Sequence, residues 1–226
     1  MKLTKSEEDY LKAIFYLIVE SGEGQAGTNQ IAEYLEVSPA SVNSMLKKLR
    51  QKELVAYEKY GKLELTPHGK NHSLQLIRKH RLWETFLYRH MNFTWDEVHD
   101  VAEQLEHIDS GKLIDELDRF LGFPKRDPHG SLIPSSEGDY QTQDRITLAE
   151  CGVGDVCRLT AVKDSSAAFL RYLTQIGLAI SGEIVIQEIR EFDGSLHILI
   201  DGRAENVSKK FAEHIYVEVV KRSTEA

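Results

Sequence analysis

Ten residues near the middle of the chain, Val98-His-Asp-Val-Ala-Glu-Gln-Leu-Glu-His107, gather the side chains best suited to chemistry. Each residue of an ideal helix advances about 100°, so with Glu103 at zero, Glu106 falls near ~−60°, His107 near ~+40° and His99 near ~−40°. All four share one face, and the i, i+3, i+4 spacing makes Glu103, Glu106 and His107 true neighbours. Two carboxylates and an imidazole on one patch repel one another unless a cation or a partner compensates, and a divalent metal ion would do so. One helix earlier, His80 and Glu84 form an i, i+4 pair, and Asp9 near the start of the chain could add a further carboxylate. The plain alternative is a solvated acidic helix with incidental histidines, and His80/Glu84 alone would be explained by bonding to Arg78 or Arg81. Two such clusters on consecutive helices are harder to dismiss in that way.

The elements that must carry these residues follow from periodicity. Leu11, Ile14, Phe15 and Ile18 give a first helix over about 5–20, with Ser6-Glu-Glu-Asp9 resembling a capping box at its start. A second helix follows Thr28, with Ile31, Ala32 and Leu35 inward. Val37-Ser-Pro39 is a turn, and Ser38 before Pro39 suits the cap and first turn of a third helix to about Lys52. That helix buries Val42, Met45, Leu46 and Leu49. Two short strands around Gly61 form a hairpin, closed by Pro67-His-Gly69. Further helices are expected over about 71–90, from Thr94 to about Ile108, and over 112–121. Residues 125–145 are rich in Pro, Gly and Ser without periodicity, and so read as linker. From Ile146 the texture changes to strands, giving a five-stranded small barrel with one short helix near Ala167 to Ile176.

Residues 28–52 thus read as a helix-turn-helix with a wing, whose second helix would lie in a DNA major groove. Ser38, Pro39, Ser41, Asn43 and Ser44 would lie near bases, with Lys47, Lys48 and wing residues Lys59 and Lys62 on phosphates. The net charge of −8 is opposite in sign to that of most DNA-binding surfaces. Its distribution resolves the conflict: residues 39–62 carry six basic and two acidic side chains, whereas residues 73–140 carry 13 acidic and 8 basic ones. Such fields fall off over roughly 10 Å in salt, so a basic reader and an acidic metal-attracting segment can coexist. No apolar run approaches the ~18 residues of a membrane span, and the start of the chain lacks a secretory pattern, so a cytoplasmic location is expected. Cys151 and Cys157 match no zinc spacing and read as buried side chains. No HExxH motif, nucleophile elbow or phosphate loop supports an enzyme or a small organic substrate.

The stretches Glu7-Glu-Asp-Tyr-Leu-Lys-Ala-Ile14, Leu54 to Gly69, Arg78-Lys-His-Arg-Leu82 and Val98-His-Asp…Glu-His107 resemble the diphtheria-toxin-repressor family of iron- and manganese-dependent regulators. The resemblance implies an α+β chain: a winged helix-turn-helix (1–71), a helical metal-binding and dimerisation domain (72–124), a linker (125–145) and an SH3-like, iron-transport-A-type domain (146–222). It implies a primary metal site of Asp9, Glu103, Glu106 and His107. An ancillary site would use His80, Glu84 and His99, with Asp164 as the third domain's carboxylate. It also implies a homodimer on a palindromic operator in double-stranded DNA, repressing metal-homeostasis genes when metal is bound. Where iron-type members place a methionine and a cysteine, this chain has Asp9 and Glu103. A set of oxygen and nitrogen donors favours Mn²⁺, with Fe²⁺ as the alternative and Zn²⁺ or Co²⁺ as substitutes in vitro. Short manganese members carry a glutamate where this chain has Lys12, which favours separate sites over a two-metal cluster. A regulator of the same fold with a purely structural metal, or with another effector, is the other reading.

Overall fold

The computed structural model describes residues 3–21, 25–57, 63–141, 144–163 and 165–223. Two compact units result: 1–82 with 103–120 and 133–142, and 83–102 with 121–132 and 143–226.

In the first unit, α1 (Lys5–Phe15) continues as a π-helical turn, Tyr16–Glu20. Its capping box lies two residues before the expected one: Thr4 accepts from the Glu7 amide, and Glu7 accepts from the Thr4 amide at 2.8 Å. Glu7 is also buried and takes Lys52 at 2.6 Å, which ties α1 to the end of α3 (Pro39–Gln51). α2 (Thr28–Tyr34) and α3 close the helix-turn-helix. Tyr10, Leu11, Ile14, Ile31, Val42, Leu46, Leu49 and Leu54 form its core. An antiparallel pair, β1 (Val55–Tyr57) and β2 (Leu63–Leu65), supplies the stem of the wing.

α4 (Pro67–His90) begins one turn earlier than periodicity suggests. The reason is local. Thr66 Oγ1 accepts from the Gly69 amide at 3.0 Å, and Pro67 suits a first helical position because its missing N–H has no partner there anyway. A Cβ on Gly69 would sit 1.9 Å from the Leu54 carbonyl oxygen, so only glycine lets this helix start press on the strand entry. α5 (Val98–Leu105) and α6 (Gly111–Phe120) follow. α5 starts after Trp95-Asp-Glu97, where the Glu97 carboxylate accepts from the Thr94 amide at 2.9 Å.

The second unit is built on a six-stranded antiparallel sheet, one strand more than expected. Its members are β3 (Ile146–Thr147), β4 (Val156–Val162), β5 (Glu183–Ile189), β6 (Leu196–Ile200), β7 (Arg203–Val207) and β8 (Ile215–Lys221). Their order is β3-β8-β4-β5-β6-β7. β7 is an edge strand whose Arg203 and Ala204 are exposed, so it lacks the apolar alternation that announces a strand. α7 (Ala167–Gln175) covers the core with Leu170 and Leu173, and α8 (Lys209–Ala212) adds Phe211. Cys151 and Cys157 are free and buried in this unit. No helix among the described residues is long and apolar enough to cross a membrane.

Candidate metal centre

α5 ends at Leu105, so Glu106 and His107 lie in the turn that follows rather than on the helix itself. That turn brings them to α1. Asp9, Glu106 and His107 each offer one ligand atom, all within 4.8 Å of one another. Asp9 Oδ1 stands 3.2 Å from His107 Nε2, and Glu106 Oε1 stands 3.7 Å from that nitrogen. Both Asp9 Oδ1 and His107 Nε2 are buried without a hydrogen-bond partner. The other ring nitrogen is occupied, because His107 Nδ1 donates to Glu8 Oε2 at 2.6 Å. In that tautomer Nε2 presents a lone pair to a carboxylate oxygen, a contact that favours a cation between them. A carboxylate behind an imidazole is also how metal-binding histidines are commonly oriented.

The surrounding charges are organised. Lys12, on α1, donates to Glu106 Oε1 at 2.8 Å and Oε2 at 2.9 Å, and also to Glu103. His80 Nδ1 donates to Glu106 Oε2 at 2.6 Å. Burial would raise the Glu106 carboxyl, but the His80 hydrogen bond and charge, followed by Lys12, outweigh it and hold it below its ordinary range. Burial likewise opposes the Lys12 ammonium, and the Glu106 and Glu103 charges overcome this and push its pKa up. Asp9 moves the other way: burial raises it, with only partial relief from His107 and Lys12. Lys12 and His80 thus compensate the Glu106 carboxylate and Lys12 also reaches Glu103, while the Asp9 carboxyl stays raised mainly through burial.

A second cluster lies in the other unit. Glu84, Asp127 and His129 are all buried and also offer ligand atoms within 4.8 Å of one another. His129 Nε2 donates to the Trp95 carbonyl at 2.7 Å, while Nδ1 faces Glu84 Oε2 at 3.5 Å. Asp127 Oδ1 accepts from the His129 and Ser131 amides. Gly130, at φ +83°, closes this turn where a Cβ would meet the Thr160 carbonyl oxygen at 2.1 Å. Burial alone would lower the His129 pKa, but Glu84 and then Asp127 raise it to about 9. His99 Nδ1 stands 3.4 Å from Glu84 Oε1.

Three family models match in succession: iron dependent repressor, N-terminal DNA binding domain over 2–63; iron dependent repressor, metal binding and dimerisation domain over 66–135; and FeoA domain over 146–219. The HTH-type transcriptional regulator MntR of Bacillus pumilus (strain SAFR-032) is 40% identical over 120 residues, which is 53% of this chain and 81% of that one. The chain belongs to the diphtheria-toxin-repressor family. It has three-domain form. A structure described as a manganese-dependent transcriptional repressor in complex with manganese is 34% identical at a TM-score of 0.85, covering 95% of this chain and 100% of that one. The manganese regulator SloR is 38% identical at a TM-score of 0.79, covering 97% and 100%.

Within this repressor fold the expected ligands are distributed as follows. Asp9, Glu106 and His107 converge directly, and Glu103 joins them through Lys12. His80 bonds to Glu106, whereas Glu84 pairs with His99 and His129. Asp164, Lys59 and Lys62 lie outside the described residues. Glu8, Asp127 and His129 escaped the sequence reading. Asp127 and His129 fall in the stretch expected to be linker, and the Asp-Pro-His-Gly run itself was their only signal: two ligand-type residues at a tight turn. On the reading helix, Ser38, Pro39, Ser41, Asn43, Ser44, Lys47 and Lys48 are exposed while Val42, Leu46 and Leu49 are buried. Ser38 is already engaged, since its hydroxyl accepts from the Ser41 amide at 3.2 Å and meets the Ser41 hydroxyl at 2.9 Å.

Proposed function

We propose that this chain is a Mn²⁺-responsive repressor that binds a palindromic operator as a homodimer and controls metal-ion homeostasis. The observation carrying this reading is the pair of buried, partnerless ligand atoms, Asp9 Oδ1 and His107 Nε2, facing each other 3.2 Å apart. The matched family models and relatives, which are DNA-binding transcriptional regulators rather than enzymes, support it. Asp9, Glu103, Glu106 and His107 form the primary centre. Glu84, Asp127 and His129 form a second, with His99 beside Glu84.

A divalent ion bound there would supply positive charge and a common centre for groups that otherwise repel to ligate. Asp9 holds the α1 end of that link, and Glu106 and His107 hold the end beyond α5. Glu8 keeps the His107 ring turned so that Nε2 faces Asp9. Leu11 and Ile14, which follow Asp9 on α1, pack in one core with Val42 and Leu46 of α3. Fixing Asp9 therefore restrains the reading helix. The donors are oxygen and nitrogen throughout, which suits a hard ion and favours Mn²⁺ over Fe²⁺. Related structures of ScaR carry Cd²⁺ and Zn²⁺, consistent with donor sets that tighter-binding ions occupy in vitro.

Asp9→Ala tests this most simply. The variant should fold normally in chelator but lose most of the Mn²⁺-dependent gain in DNA affinity, read by fluorescence anisotropy. An undiminished Mn²⁺ response in Asp9→Ala would remove the primary centre from the mechanism. Tight, metal-independent DNA binding by the parent protein would favour a purely structural metal.

A further inference from the structure

Three consecutive residues near the start of α1 tie it to two other parts of the chain. Glu8 backs His107, and Asp9 faces the same ring across 3.2 Å. Glu7 points to the other side, since helical residues advance about 100° each and Glu7 and Asp9 stand about 200° apart. There Lys52 Nζ meets both Glu7 carboxylate oxygens, at 2.6 Å and 2.8 Å. Lys52 is the C-cap of α3, so this contact holds the far end of the reading helix. Glu7 is 5% exposed, and the Lys52 side chain 29%. The Glu7 carboxylate is itself fixed to α1, because it also accepts from the Thr4 amide at 2.8 Å.

We propose that the Glu7–Lys52 ion pair is the positioning link that passes the metal-held orientation of α1 to the reading helix, and so sets how strongly Mn²⁺ changes DNA affinity. Leu11 and Ile14 share a core with Val42 and Leu46. That core sets how close the two helices lie, but apolar packing is not directional. A lysine bridging both oxygens of a carboxylate that is already hydrogen-bonded to α1 fixes their relative turn. Buried ion pairs of this kind serve registry better than net stability. With metal bound, Asp9 is held against Glu106 and His107, and the pair carries that restraint to α3. Without metal, Asp9 lacks that restraint and the pair has less to pass on.

This role of the pair rests on the chain being a Mn²⁺-responsive repressor. The test is fluorescence anisotropy of the full-length protein with a duplex selected from a random pool, in chelator and in Mn²⁺ at fixed salt. The readout is the factor by which Mn²⁺ tightens DNA binding. Glu7→Gln keeps the capping box but removes the charge, and Lys52→Met keeps the apolar stem. Each should cut the factor at least about threefold, within the range by which residues outside both ligand sites modulate coupling. Mn²⁺ affinity without DNA should stay at the parent's value. The double variant should lose no more than the larger single loss, because the two residues act as one unit. Loss of a Lys52 phosphate contact would instead weaken binding alike in chelator and in Mn²⁺ and leave the factor unchanged. An unchanged factor in either variant, additive losses in the double variant, or a matching fall in Mn²⁺ affinity without DNA overturns the proposal. If Glu7→Gln does not fold, Lys52→Met alone decides. A parent whose DNA affinity ignores Mn²⁺ would refute the Mn²⁺-responsive reading itself.

Discussion

His129 and His107 are partnered differently. His107 is backed by Glu8 on one nitrogen and leaves the other to Asp9. His129 has acceptors at both nitrogens, the Trp95 carbonyl and Glu84, with Asp127 adding further negative charge. Its pKa is therefore raised from 6.5 to about 9. A group whose pKa is higher in the folded state stabilises the fold fully below its unfolded value and ceases to do so as pH rises through the folded one. In chelator, thermal stability should accordingly fall between pH 6.5 and about 9. The loss should be of the order of 3 kcal/mol, and His129→Gln should flatten that slope. Helical spacing singled out Glu103, Glu106 and His107 in the sequence, because the code for a shared face is local, whereas Asp9, on another helix, came only as a possible further carboxylate and through the family resemblance. Lys12 as counter-ion, Glu8 behind His107 and Asp127 beside Glu84 were not legible, because each meets its partner only through tertiary contact.

Elements were readable where an apolar stripe or a cap marks them, as in α1, α3 and α4, and less so elsewhere. α5 stops at Leu105, which moves Glu106 and His107 off the ideal helical arc without separating them. β7 has too little buried surface to betray its pleat, and the Asp-Pro-His-Gly turn has no period at all. On the reading helix, Ser38 was expected both to cap α3 and to lie near bases, and its hydroxyl does cap α3. Ser38→Ala should therefore destabilise the protein by about 1 kcal/mol in thermal unfolding without DNA, as loss of an N-cap does. Ser38→Asp should restore most of that loss. Asn43→Ala, on the exposed face and without a capping role, should leave the melting temperature almost unchanged and act on DNA affinity alone.

Across the whole chain, a net charge of −8 is compatible with DNA binding because basic residues concentrate at 39–62, on and after the reading helix. The three-domain organisation was legible from the succession of helix-turn-helix, acidic helices and strand-rich tail. Its partition into compact units was not, since α4 and α5 each contribute to both. Linkage joins the two activities: if Mn²⁺ tightens DNA binding by some factor, DNA tightens Mn²⁺ binding by the same factor. The decisive measurement is fluorescence anisotropy of a duplex selected from a random pool against the Mn²⁺-loaded protein, titrated at fixed salt first in chelator and then in Mn²⁺. Affinity should rise at least about tenfold with Mn²⁺, within the usual range of such couplings, and that gain should disappear when Glu103→Ala and Glu106→Ala are combined. Equal affinity in chelator and in Mn²⁺ would contradict a metal-controlled repressor, whatever the metal content of the protein.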